Sequence, residues 1–309
     1  MGSKNVDNKL VKSAHTTQRF TEEDIENLLK CQDLKTGANF FLNNFFYIQH
    51  PTKGKIQYHA YAYQEKLLES YNNHRFSVNM LGRQLGKTTT AVGFLLWYAM
   101  FVPDSTILIA AHKYTGAQEI MQRLRYAYEM CPDMIRAGAV SYNKQSIEFE
   151  NGSRIVAQTT TETTGRGMSI SLLYLDEFAF VEPNIATEFW TSISPTLATG
   201  GKAIITSTPN SDEDQFSLIW KEANKRIDEY GNTTELGKNG FFPFMAVWSE
   251  HPDRDETWAS EERSRVGEER FRREMECICG DSLLTIRWPD GKIKLMSVES
   301  LRASLSSTT

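Results

Sequence analysis

An α/β fold with a mostly parallel central sheet flanked by helices is what this sequence predicts, and three features point there. Short, fully apolar runs alternate with helical stretches, as strands do when both faces of a sheet are covered. The apolar run Phe76–Leu81 leads into a tight glycine-containing turn, Gly82-Arg83-Gln84-Leu85-Gly86-Lys87-Thr88, and then into a longer apolar stretch. A further apolar run, Leu172–Leu175, ends in two acids, Asp176 and Glu177.

The elements follow in chain order. Residues 1–20 are polar and read as a flexible lead-in. Thr21–Cys31 reads as a helix capped by Thr21, with acids in its first turn. Tyr61–Asn72 is a second helix, Phe76–Leu81 a buried strand, and Thr88 towards Val102 a buried helix that stops before Pro103. Thr106–Ala111 is a strand and Gly116–Met130 a helix. Ser146–Glu150 and Arg154–Gln158 flank Asn151-Gly152, a strong hairpin signal. Leu172–Leu175 and Ala203–Thr206 are two more apolar strands. Beyond Ile219 the character changes: Lys221–Tyr230 reads as a charged helix, Gly231–Gly240 as a loop, Phe241–Ser249 as a returning strand, and Asp255–Glu276 as a densely charged helical stretch. The domain reading is a helical or flexible segment over 1–50, a nucleotide-binding core over 51–220, a lid or linker over 221–276, and a short β-rich tail over 277–309.

The bulk numbers exclude several classes. With 309 residues, 40% of them hydrophobic, the chain can bury a large core. A net charge of −5 gives no global basic field, so any nucleic-acid contact must be local or made through partners. Four scattered cysteines make no disulfide framework and suit a reducing compartment. The longest apolar run, Ala91–Val102, is too short to span a bilayer, so no membrane role is expected.

The turn at Gly82–Thr88 has the composition and setting of a phosphate cradle. Glycines let backbone amides converge on phosphate oxygens, and the following helix offers its positive end. Lys87 then reaches the β- and γ-phosphates of ATP, and the Thr88 hydroxyl ligates Mg²⁺. Compared with the usual spacing, the first glycine lies one residue too close and Leu81 takes its place. At the end of the Leu172–Leu175 strand, Asp176 is placed to hold Mg²⁺ and Glu177 to orient and deprotonate the attacking water. Thr206-Ser207-Thr208-Pro209-Asn210 follows the next strand and suits γ-phosphate sensing. Arg83, inside the loop, can neutralise charge on the transferred phosphoryl group. Gln64 is a candidate adenine reader. Gly82, Gln84 and Gly86 supply the cradle itself. These features define an ATP-hydrolysing protein of the P-loop class, with a RecA-like (ASCE) sheet.

Taken together, these motifs resemble the large terminase subunit of tailed bacteriophages, over roughly residues 50–276. The loop looks like that family's shortened phosphate loop with its arginine at Arg83; Tyr174–Glu177 matches its second motif, Thr206–Asn210 its coupling motif and the Gln64 segment its adenine motif. Ala110–Lys113, Tyr142–Lys144, Glu150–Ser153, Gly165–Gly167 and Phe271–Glu274 sit in the expected order. The resemblance implies ATP-driven translocation of double-stranded DNA into a procapsid in the cytoplasm of an infected bacterial host. It implies the portal, the small terminase subunit and further copies of the chain as partners. It also implies a C-terminal nuclease domain, and the sequence ends before one could begin. Readings from other classes are a helicase-type DNA translocase and a non-catalytic nucleotide switch.

From Cys277 the text changes. Cys277-Ile278-Cys279-Gly280-Asp281-Ser282, alternating apolar residues, and the turn Pro289-Asp290-Gly291-Lys292 resemble the start of an intein, with Cys277 as its nucleophile. All six histidines precede Cys277. The resemblance is therefore to the N-terminal fragment of a split intein, whose partner polypeptide would carry the rest of the intein and the nuclease domain.

Overall fold

The computed structural model describes residues 10–211, 213–278, 283–288, 291, 293–297 and 301. Helix α1 (Glu22–Gln32) starts where the cap predicts: the Thr21 hydroxyl accepts from the Asp24 amide, and the Asp24 carboxylate accepts from the Thr21 amide. Helix α2 (Gly37–Phe45) and the antiparallel pair β1 (Tyr47–His50) and β2 (Gly54–Gln57) follow. Then come α3 (Ala62–Asn73), β3 (Phe76–Leu81), α4 (Lys87–Phe101), β4 (Thr106–Ala111) and α5 (Tyr114–Met130). Strands β5 (Ala139–Tyr142), β6 (Ser146–Phe149), β7 (Arg154–Thr159) and β8 (Leu172–Asp176) lead to α6 (Pro183–Ile193), β9 (Lys202–Ser207) and α7 (Gln215–Ala223). The chain closes with β10 (Phe242–Ala246), α8 (Glu256–Val266), α9 (Glu268–Met275) and the antiparallel pair β11 (Leu283–Arg287) and β12 (Ile293–Ser297).

Among the described residues one eight-stranded sheet runs in the order β10-β3-β9-β8-β4-β7-β6-β5. Its strands are parallel from β10 to β7, and β7-β6-β5 is an antiparallel meander. The expected parallel α/β sheet is what forms, and the Asn151-Gly152 hairpin joins β6 to β7. The chain leaves β3 and returns three places away at β4, so β9 and β8 insert between them. Register then puts Ser207 opposite Met80 and Asp176 opposite Thr206. The carboxyl ends of β3, β9, β8 and β4 therefore share one edge, the crevice where such sheets bind ligands.

Each sheet face carries its own core. Along β4, Ile107 and Ile109 pack with α2, α3, α4 and α5, while Leu108 and Ala110 pack with α6 and α7. Helix α4 is apolar nearly all round and is buried on all sides, as a central helix must be. Its Trp97 is buried and donates its indole N–H to the Cys31 carbonyl at 2.7 Å, tying α4 to α1.

The structure departs from the sequence reading in four places. Lys221–Tyr230 is not a helix; the helix is α7, and it ends at Ala223, where Asn224 caps it and the chain turns back through the Ile227–Thr233 bridge. Asp255–Glu276 is two helices, because Gly267 at φ +87° breaks the run. Phe242–Ala246, expected within a lid, pairs with β3 as the edge strand of the main sheet, so a boundary at residue 221 divides the sequence but not the sheet. Residues 10–20 are held on the core, with the Ala139 amide donating to the Lys12 carbonyl at 2.8 Å; the expectation for 1–9 lies outside the described residues. A small cluster of Trp248, Ala259, Phe271 and Met275 binds α8 and α9 together beside the phosphate loop.

Trp97→Ala should cost about 3–5 kcal/mol, since it opens a large cavity and orphans a carbonyl. Urea unfolding followed by circular dichroism reads this as a lower midpoint with little change in slope.

Candidate nucleotide site

The loop between β3 and α4 is held in shape from behind. Gly86 lies at φ +75°, and a Cβ there would stand 2.6 Å from the Gln64 amide nitrogen. Gly82 has no room either: its Cβ would meet the Met275 carbonyl at 2.7 Å. Gln64 is buried. Its amide oxygen accepts from the Tyr58 hydroxyl and the Tyr61 amide, each at 3.0 Å, and its nitrogen donates to the Leu85 carbonyl at 3.1 Å. Tyr63 donates to the same carbonyl at 3.0 Å. In this structure the Gln64 amide, expected as an adenine reader, braces the loop through these bonds. Arg254 closes the other side, donating to the Arg83 and Gln84 carbonyls at 3.3 and 3.0 Å.

Across the crevice, β8 delivers the two acids. Lys87 Nζ lies 2.6 Å from Glu177 Oε1, with both side chains largely buried. Thr88 Oγ1 donates to Asp176 Oδ1 at 3.4 Å. The same Asp176 oxygen accepts from the Tyr174 hydroxyl at 2.8 Å and from Thr206 Oγ1 at 3.2 Å. Burial, then the neighbouring Glu177 charge, pushes the Asp176 carboxyl above its ordinary range, against the pull of Lys87. Burial also works to raise Glu177, but the Lys87 charge and hydrogen bond outweigh it and hold that carboxyl below the usual range. Glu177 adopts φ +51°, a left-handed conformation that a non-glycine residue holds only when its surroundings fix it.

The predicted site residues fall into two groups. Lys87, Thr88, Asp176, Glu177, Thr206, Ser207 and Thr208 come together. Ser207 Oγ, the Thr208 amide and Thr208 Oγ1 all donate to Glu177 Oε2, at 3.3, 3.2 and 3.3 Å. Asn210 and Arg83 lie apart. Asn210 donates to the Ala179 carbonyl at 3.1 Å, beneath the turn after Glu177. Arg83 is half-exposed and pairs with Glu274 of α9 at 3.2 Å, while its amide donates to the Glu274 carbonyl at 2.7 Å. Sequence reasoning missed Arg254 and gave no separate role to Tyr174 or Glu274, which stand in motifs it quoted. Tyr174 was within reach, since residues two apart on a strand share a face. Arg254 carries no local signal.

This strand–loop–helix and the parallel sheet around it define an α/β protein of the P-loop class. A protein-family model of the large terminase subunit, T4likevirus type, N-terminal part, matches residues 78–290, and the chain belongs to that family. The match runs past the Glu276–Cys277 junction. The fold is shared with the large terminase of bacteriophage HK97, at TM-score 0.61 and 16% identity over 82% of this chain and 59% of that one. It is shared with the ATPase domain of the Thermus phage P74-26 large terminase, at TM-score 0.56 and 21% identity over 71% of this chain and 94% of that one. A thermophilic bacteriophage large terminase in complex with ATP-gamma-S aligns at TM-score 0.52 and 10% identity, over 73% of this chain and 54% of that one. The chain thus spans little more than half of the longer relatives. Among the described residues no helix is long and apolar enough to cross a membrane.

Asp176→Asn should stabilise the nucleotide-free protein. A carboxyl whose folded pKa is raised favours the fold only while protonated, and that advantage is lost as pH rises from the unfolded value through the folded one. Removing the charge should raise the melting temperature by roughly 2 °C at neutral pH. The gain should vanish in acid, where the carboxyl is protonated in both states, and scanning calorimetry at the two pH values checks this.

Proposed function

We propose that the chain hydrolyses ATP to drive double-stranded DNA into a viral procapsid, as the motor part of a large terminase. The observation that carries the reading is the pairing of Lys87 with Glu177 and of Thr88 with Asp176 across one crevice. The loop amides and Lys87 bind the β- and γ-phosphates. The Thr88 hydroxyl and Asp176 fit Mg²⁺, which takes one or two protein oxygens and the phosphates; when bound, the ion neutralises phosphate charge. Lys87 must leave Glu177 to reach the phosphates, and that frees the carboxylate to orient and deprotonate the attacking water. Thr206, Ser207 and Thr208 touch both acids, so a change at the γ-position reaches β9 and the Asn210 turn directly. Arg83 acts once it leaves Glu274 and turns towards the developing charge. Double-stranded DNA, the portal, a small terminase subunit and neighbouring copies of the chain are the partners this function requires, in the cytoplasm of the bacterial host.

Glu177→Gln tests the chemistry. Turnover of ATP with Mg²⁺ should fall about 10²–10⁴-fold, while binding of ATP is retained. A variant that hydrolyses at the wild-type rate removes Glu177 from the role of base.

For the tail, we propose the intein reading on sequence grounds. The Cys277 thiolate would attack the Glu276 carbonyl; the C–N bond breaks, a thioester forms, and the freed amine takes up a proton. Two observations support it: β11 and β12 pair antiparallel as the alternation requires, and Cys277 sits at φ +57°, a strained position just after α9. Cys279 to Ser282 lie outside the described residues. Added thiol should cleave the chain after Glu276, and a matching C-terminal intein polypeptide should yield a product lacking residues 277–309. Mass spectrometry separates these outcomes from an inert tail.

A further inference from the structure

Helix α9 ends against the back of the phosphate loop, and the bond between Glu276 and Cys277 lies at that end. Two loop amides donate to carbonyls across this seam, Arg83 to Glu274 at 2.7 Å and Gly82 to Ala246 of β10 at 3.0 Å. The Cys277 Sγ–H donates to the same Ala246 carbonyl, 4.0 Å away. A Cβ on Gly82 would stand 2.7 Å from the Met275 carbonyl, so the loop backbone and the end of α9 touch directly.

The junction is fastened on its other sides too. The Ile278 amide donates to the Arg272 carbonyl at 2.9 Å and closes a turn across the Glu276–Cys277 bond. Arg263 of α8 donates to the Glu276 carboxylate at 2.9 Å, and its guanidinium lies 4.4 Å from the centre of the Phe271 ring. Cys277 packs in the same apolar cluster as Val78 and Phe241 and is 9% exposed. A side chain so enclosed reacts only when its surroundings open locally.

We propose that the phosphate loop is a brake on the Cys277 step: the junction reacts only after it parts from Gly82 and Arg83, and a nucleotide in the loop opposes that parting. The proposal rests on both the ATPase and the intein readings. In the step itself the Cys277 thiolate attacks the Glu276 carbonyl carbon, a C–S bond forms, the C–N bond breaks, and the freed amine takes up a proton. Linkage fixes the direction of the effect. The seam sets where the later loop amides stand, so its parting weakens their hold on phosphate; by reciprocity, bound phosphate resists the parting. The Arg83 guanidinium can leave Glu274 without undoing the seam, because the seam is made of backbone. The chain then exchanges its tail with the loop empty and keeps it with the loop filled.

The full chain is incubated with dithiothreitol, with and without ATP-gamma-S and Mg²⁺, and mass spectrometry follows the product that ends at Glu276. Equilibrium dialysis measures the bound nucleotide in parallel. At saturation the cleavage rate should fall about tenfold. Arg263→Ala, which removes the pair with Glu276, should cleave about threefold faster without nucleotide and bind ATP-gamma-S as the wild type does. The wild-type comparison stands whether or not this variant folds. Equal or faster cleavage with nucleotide bound overturns the brake and leaves both earlier readings in place. A chain that thiol never cleaves refutes the intein reading, and one that binds no ATP-gamma-S refutes the ATPase reading; the brake falls with either.

Discussion

The ion pair of Lys87 and Glu177, 2.6 Å long and largely shielded from water, is the contact around which the rest of the crevice is organised. A lysine at the start of a buried helix and a glutamate at the end of a buried strand would each be costly alone. Together they are tolerated, and they keep the mouth of the site closed on itself. Under the proposed function, triphosphate binding exchanges one anionic partner of Lys87 for another, and the released Glu177 carboxylate is free to orient the attacking water.

Around that pair the surroundings hold the geometry rather than the charge. Three hydroxyls converge on one oxygen of Asp176, and Ser207 and Thr208 converge on one oxygen of Glu177. Each carboxylate is thereby fixed in orientation by neutral donors from β8, β9 and α4. The loop is fixed from behind by Gln64, Tyr63 and Arg254. A site so braced loses little in reorganisation when charge develops, which is the physical advantage of preorganised dipoles.

The lid meets the loop through backbone as well as charge. Gly82 is wedged between the Ala246 and Met275 carbonyls, and Arg83 is bound at both its amide and its guanidinium by Glu274. Because β10 belongs to the central sheet, the segment that carries α8 and α9 is anchored at one end in the core and at the other against the loop. Under the proposed function, a swing of the Arg83 guanidinium towards the nucleotide breaks its pair with Glu274 of α9.

The sequence by itself determined the buried strands β3, β4, β8 and β9, the loop and the two acids. Full burial leaves continuous apolar runs, and a positive-φ turn needs glycine, so both are written locally. It also determined the hairpin at Asn151-Gly152 and the cap at Thr21. Only the tertiary structure decided that Phe242–Ala246 is an edge strand, since an isolated short apolar run does not name its neighbour. The same holds for Gln64, whose amide could have faced a ligand or the loop, and for Arg83, whose partner Glu274 comes from an element far along the chain. Side chains whose work is to touch something distant carry no mark of it in their own neighbourhood, because the contact is made by packing and not by the local backbone.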